Sequence, residues 1–268
     1  MKKIKQVRIA AIGLVLPGLA QAAEFHGFVG AGMAVSPLYS GASHYAPGPV
    51  LKGGFAVETE AWGRVGVSTD GVMWQPMPDG QLVFGLLATR DEGRKETFDY
   101  PFSGKQNRDL NGMGDLPDTL MAGAQLRYQK TDLALWIRVL SATQKRDYGG
   151  EALGPMTTIA AGAQTALWRW HGAALSVGSD LNWASRGYLQ AHYGVTGRQA
   201  ERTGFDDYAP SSGWQKGGIY TGLSWELTSS LSAGVSGRVD YLFSEAGRSP
   251  LVNSRAQYTL SSLIQYSF

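Results

Sequence analysis

The 268-residue chain contains no cysteine. That excludes a disulfide scaffold, a thiolate metal site and a cysteine-linked lipid anchor. Charge is also scarce: Asp, Glu, Lys and Arg make up only 17% of residues, against about 25% in ordinary domains. Disorder does not follow, because 43% of residues are hydrophobic and can bury apolar surface. Histidine is limited to His26, His44, His171 and His192, with no metal-ligand spacing among them. Beyond the N-terminal leader no run of 18 apolar residues occurs, so no membrane-spanning helix is predicted. Glycine, in contrast, is abundant at 36 residues. It lacks a period of three, which excludes a collagen-like chain.

The first 22 residues read as a cleaved export signal. Lys2, Lys3, Lys5 and Arg8 form a basic start, Ile9 to Leu19 an apolar stretch, and Ala20-Gln21-Ala22 a small-x-small cleavage site. The apolar stretch falls short of the roughly 20 residues that a spanning helix needs. Residues 23–268 then form one domain. The leader holds four of the 24 basic residues and no acid, leaving 20 against 22 and a formal charge of −2. No nucleic-acid footprint remains.

The rest of the chain alternates with period two. Leu231, Ala233, Val235, Val239, Tyr241 and Phe243 share one face, while Ser232, Ser236, Arg238 and Asp240 share the other. A helix would mix Arg238 with Leu231 and Val235, so the pattern predicts a strand. Leu133 to Val139, Leu120 to Tyr128, Ala173 to Trp183, Ile219 to Leu227 and Tyr258 to Phe268 repeat it.

Both a soluble sandwich and a membrane barrel show this period. Three features favour the barrel. The strands are long enough to span a bilayer, which takes about 9–11 residues. Connections alternate between short ones, near 129–132, 169–172 and 228–230, and long ones, at 92–117 and 187–213. Aromatic residues gather at strand ends: Tyr128, Trp168, Trp170, Trp225, Tyr266 and Phe268 on the short-turn side, with Trp183, Tyr188, Trp214, Tyr241 and Phe243 opposite. Rings favour the headgroup level, so two belts are expected. The fold class is therefore all-β: an antiparallel transmembrane barrel with short periplasmic turns and long outer loops. Eleven segments match the pattern, whereas bacterial barrels have even strand numbers. The total is 10 or 12, with the miscount before residue 80. Either 49–76 is one broken strand or plug, or 37–50 hides a strand, made difficult by Pro37, Pro47 and Pro49.

Inward faces carry Arg127, Arg138 and Arg238, with Lys52 and Arg64, against Asp180, Glu226 and Asp240, with Glu58 and Asp70. A selective pore would show a ring of one sign, so these balanced charges are expected to pair within the lumen. Enzymatic activity is not expected. A nucleophile, a base and an orienting group must come together; the register turns His171 toward lipid, and His44 and His192 sit on outer loops. No metal or cofactor site is expected.

Four segments resemble the MipA/OmpV family, the MltA-interacting proteins. They are Ser36-Pro37-Leu38-Tyr39-Ser40-Gly41, Gly112-Met113-Gly114-Asp115, Tyr188 to Gly194-Val195, and Ser249-Pro250-Leu251-Val252. The region 50–105 departs most from the family pattern. The resemblance implies a Gram-negative outer-membrane protein, in contact with outer-membrane lipid, that brings a murein hydrolase (a lytic transglycosylase) together with a bifunctional penicillin-binding protein. It supplies no catalytic residue. Two other roles stay open: a surface receptor or adhesin, and a small-solute channel. The outer-loop aromatics Tyr100, Phe102, Tyr188, Tyr193, Phe205, Tyr208 and Trp214 suit either surface contact or a lid over the mouth.

Overall fold

A computed structural model describes residues 24–100 and 105–268. The predicted signal segment lies outside the described residues. In chain order the elements begin β1 (Glu24–Pro37), β2 (Tyr45–Thr59), β3 (Gly63–Ser68), β4 (Gly71–Gln75) and β5 (Leu82–Asp91). A small hairpin, β6 (Phe98–Asp99) and β7 (Gln106–Asn107), precedes β8 (Thr119–Lys130) and β9 (Leu133–Ala142). A second small hairpin, β10 (Arg146–Tyr148) and β11 (Glu151–Leu153), precedes β12 (Thr157–Trp170) and β13 (Ala173–Ala184). Helices α1 (Arg186–Tyr193) and α2 (Gly197–Thr203) follow, then β14 (Gly213–Glu226), β15 (Leu231–Leu242), α3 (Ser244–Gly247) and β16 (Ala256–Ser267).

Twelve of the strands close into one antiparallel barrel, in which β1 pairs with both β2 and β16. Closure leaves no sheet edge along most of the wall, the condition for placing strands in lipid. Side chains alternate as the period requires. Leu133, Leu135, Ile137 and Val139 all lie on the exposed outer face.

The strand count is twelve, but neither proposed source of the miscount holds. The segment 63–76 is a hairpin, β3 and β4, turning at Thr69-Asp70. Five- and six-residue strands are too short to show separate periodicities. The second strand also begins at Tyr45, straight through Pro47 and Pro49. The register explains how. Thr69 N donates to Gly53 O at 2.8 Å, so odd-numbered residues of β2 turn their backbone polar groups toward β3. β3 reaches only as high as Gly54. Pro47 and Pro49 therefore aim their missing N–H groups at a free edge, where proline breaks no ladder bond. Above the β3–β4 turn, β2 is paired with β1 alone and the last residues of β5 with β8 alone, leaving a notch in the wall.

Glycine has a clear use here. Trp136 lies over Gly162, and Tyr220 over Gly178; a Cβ at either glycine would stand 2.6 Å and 2.3 Å from the ring. Large lumen side chains thus lie flat across neighbouring strands, filling space that a Cβ would claim.

Candidate functional site

Among the described residues, most buried apolar side chains cluster above the barrel. Tyr39, Ala42, Leu110, Met113, Val195 and Leu251 form one group. Leu116, Tyr148, Leu153, Met156 and Ala191 form a second, and Ala184, Leu189, Tyr193, Leu242 and Ala246 a third. Together they are the core of a cap built from five of the six outer connections, the short β3–β4 turn taking no part. A membrane barrel faces lipid outside and polar groups inside, so an apolar core forms only where loops fold on themselves.

Local sequence sets the cap. Thr196 caps α2, accepting from Gln199 N at 3.3 Å, while Gln199 Oε1 accepts from Thr196 N at 3.0 Å. This reciprocal box satisfies two end donors of the helix. Gln199 is fully buried, and its Nε2 also donates to Met113 O at 2.7 Å. Gly204 ends α2 in the left-handed conformation that a C-terminal cap favours.

The four family-like segments, spread over more than 200 positions, meet in this cap. Ser40 Oγ and Tyr193 Oη are 2.7 Å apart, and Ser249 Oγ donates to Tyr193 O at 2.6 Å. Tyr39 stacks on Phe98, and Asn253 donates to the Tyr39 hydroxyl at 3.3 Å. Gly41 N donates to Gln257 Oε1 at 3.0 Å. Gly112 and Gly114 donate to the Glu96 carboxylate at 3.1 and 2.9 Å, with positive φ angles that favour glycine. Asp115 accepts from Lys95 at 2.8 Å, and this bond holds its carboxyl below the usual range. Gly194 ends α1, Pro250 follows Ser249 in the last outer loop, and Ser36 and Pro37 close β1. Burial raises the Tyr193 phenol, and does so strongly for Tyr188.

Tyr188 was expected either in the outer aromatic belt or among the loop aromatics closing the mouth, and the second placement is the observed one. It sits on α1, donating to Asp91 Oδ1 at 2.9 Å and stacking on His192, whose Nε2 is 2.9 Å from Asp91 Oδ2. A helix, which the sequence did not announce, turns the ring inward. His171 likewise does not face lipid. It occupies a two-residue turn with Gly172, both with positive φ, and lines a periplasmic cavity. Such turns match strand twist, and the turn breaks the alternation on which the expectation rested.

The lumen charges pair locally. Arg238 donates to Asp180 at 2.8 and 2.9 Å and to Asp240 at 2.6 to 2.9 Å. Arg138 donates to Gln125 and lies 5.5 Å from the Trp136 ring. Arg64 donates to Glu58 at 2.6 Å, and Lys52 pairs with Asp70 beside the wall notch. Arg127 and Glu226 instead line a cavity of about 720 Å³ at the periplasmic end, with Asp132 and Arg169 paired at 3.1 Å nearby. A second periplasmic cavity, of about 650 Å³, is lined by His26, Arg64, Gln75 and Gln265. Beneath the cap a third, of about 720 Å³, is lined by Tyr39, Asp91, Arg94, Tyr193 and Lys216. Asp91, Arg94 and Gln199 carried no recognisable pattern in sequence, except that Thr196 and Gln199 have capping-box spacing.

Fold and lipid-facing surface together define an outer-membrane β-barrel protein, its outer end capped. Solved structures of similar architecture include OmpT of Vibrio cholerae, with 8% identity over 92% of this chain and 97% of that one and a TM-score of 0.40. The outer membrane channel DcaP of Acinetobacter baumannii shows 6% identity over 92% and 97%, with a TM-score of 0.42. The toluene transporter TodX of Pseudomonas putida shows 10% over 91% and 89%, with a TM-score of 0.40. No curated protein sequence matches the chain significantly. The model of the MltA-interacting protein MipA family matches residues 29–268, and the chain belongs to that family.

Proposed function

We propose that this barrel is a non-enzymatic platform in the outer membrane. It gathers peptidoglycan-remodelling enzymes, a lytic transglycosylase and a bifunctional penicillin-binding protein, on its periplasmic side. The family's name supports the murein partner. The observation that carries the reading is the asymmetry of the two ends. Outer loops spend their aromatics on an internal core, with Tyr193 and Tyr148 buried in it. The periplasmic end keeps open cavities and exposed apolar side chains on its turns, Trp62 at 67% and Met77 at 74% exposure.

The turns are small beside the roughly 1,600 Å² of a standard interface. Confinement of the partners near one membrane raises their effective concentration and makes a modest contact sufficient. The test is capture of the two enzymes from detergent-solubilised envelope by a tagged chain. Trp62→Ser with Met77→Ser should cut capture about tenfold, the loss of roughly 1.4 kcal/mol, while the barrel stays folded. Undiminished capture by that double variant sinks the proposal.

A further inference from the structure

We propose that Arg94 anchors a binding site for a small molecule bearing a carboxylate or phosphate, in the chamber beneath the cap. The inference does not depend on the platform reading. Arg94 is only 8% exposed. Its Nη1 donates to His192 O at 2.9 Å and its Nη2 to the Tyr148 hydroxyl at 3.0 Å, both neutral acceptors. Nε is buried without a partner. A guanidinium has five N–H donors, so most of its capacity is unused.

No carboxylate compensates the charge. Every Asp and Glu of the chain lies among the described residues, and none forms an ion pair with Arg94. Of the carboxylates nearest in sequence, Glu96 accepts from Gly112 and Gly114, Asp91 is engaged by Tyr188 and His192, and Glu92, which lines the same chamber, forms no ion pair with Arg94. Arginine cannot shed its proton to escape burial, and a buried charge without a counter-ion is costly. The same chain gives Arg238 two carboxylates. Arg138 and Arg146 also donate only to neutral acceptors, but among the described arginines Arg94 is the one that is buried.

Geometry supplies room for the missing anion. The chamber of about 720 Å³ that Arg94 lines falls within the ordinary size of small-molecule sites. Lys95, paired with Asp115, and Lys216, 3.7 Å from Asp240, add cations to a wall that also holds the carboxylates of Asp91, Glu92 and Asp240, and Ser40 and Gln215 add hydrogen-bonding groups. Tyr39 and Phe98, stacked 5.7 Å apart, offer an aromatic wall. A planar guanidinium fork suits a two-pronged anion, and the aromatic wall suits a ring attached to it.

The full chain, purified in detergent, would be titrated calorimetrically in low-chloride buffer. The probes are D-glucuronate, inorganic phosphate and, as an uncharged control, D-glucose. At least one anion should bind saturably and more weakly as salt is added, and glucose should not bind. Glucuronate alone points to a sugar acid; phosphate points to a phosphorylated ligand. Arg94→Gln should weaken binding at least about tenfold. Where Arg94→Gln does not fold, Arg94→Lys replaces it, with a smaller loss through the missing fork. A wild type that binds neither anion overturns the proposal. So does glucose binding as tightly as glucuronate, or a folded Arg94 variant with wild-type affinity.

Discussion

Arg238 of β15 reaches across Gly218 of the neighbouring β14 to grip Asp180 of β13 with two hydrogen bonds, of 2.8 and 2.9 Å. The bridge exists because Gly218 has no side chain. A Cβ there would stand 2.3 Å from Asp240 Oδ1 and 2.5 Å from Arg238 Nη2. Gly218→Ala should therefore force the pair apart and destabilise the barrel by about 1–3 kcal/mol, the usual cost of overpacking. The midpoint of urea unfolding in lipid vesicles measures this, and an unchanged midpoint counts against the bridge.

The wall notch makes a second prediction. Pro49→Ala would place a new N–H on the free edge of β2, within the band where Leu51 is 71% exposed to lipid. An unsatisfied donor in hydrocarbon costs on the order of 1–3 kcal/mol. Gly48→Ala, one residue away, turns its N–H toward β1, and its Cβ meets nothing within 4 Å. The first variant should lose stability in the same unfolding assay, and the second should not.

Cap and wall should respond separately to substitution. Gly41 has a φ of +101°, and a Cβ there would lie 2.7 Å from Val252 Cγ2. Gly41→Ala should loosen the cap at a cost of about 1–2 kcal/mol from the left-handed backbone alone. Proteolysis of the outer loops should quicken while the closed barrel keeps its heat-resistant mobility on gels. Loss of both together would show that the cap is not a separate unit.

Alkaline pH should open the cap. Burial, with a smaller contribution from the Asp109 charge, pushes the Tyr39 phenol from 10.0 up to about 12. Burial also raises Tyr188 and Tyr193. A raised pKa means that folding favours the protonated form. The stabilisation is complete below 10.0, the unfolded value, and is lost as pH climbs from there through about 12. Tyrosinate absorbance should rise together with protease sensitivity of the loops across that window. Titration of all tyrosines near their ordinary value, with the cap still resistant, would contradict the burial that the structure shows.

Much of the architecture was legible in the chain. Leu231 to Phe243 could be only a strand, because a helix would have set Arg238 beside Val235. The long β8, β9 and β12 to β16 followed from the same alternation. Where strands became short the signal failed: β3 and β4 together read as one segment. The cap motifs could be recognised as segments, yet nothing in their spacing foretold that Ser40, Tyr193 and Ser249 would bond to one another.

The barrel is written into the local pattern of residues, since alternation of apolar and polar side chains over spanning lengths has one stable outcome in lipid. So are the balance of lumen charge and, through the alternating short and long connections, the two faces of the membrane. Which charges pair, the burial of outer-loop aromatics in a cap and the missing counter-ion of Arg94 emerge only with the folded chain. Those outcomes depend on contacts between residues far apart in the chain, such as Gln257 with Gly41, and local periodicity holds no record of such distances.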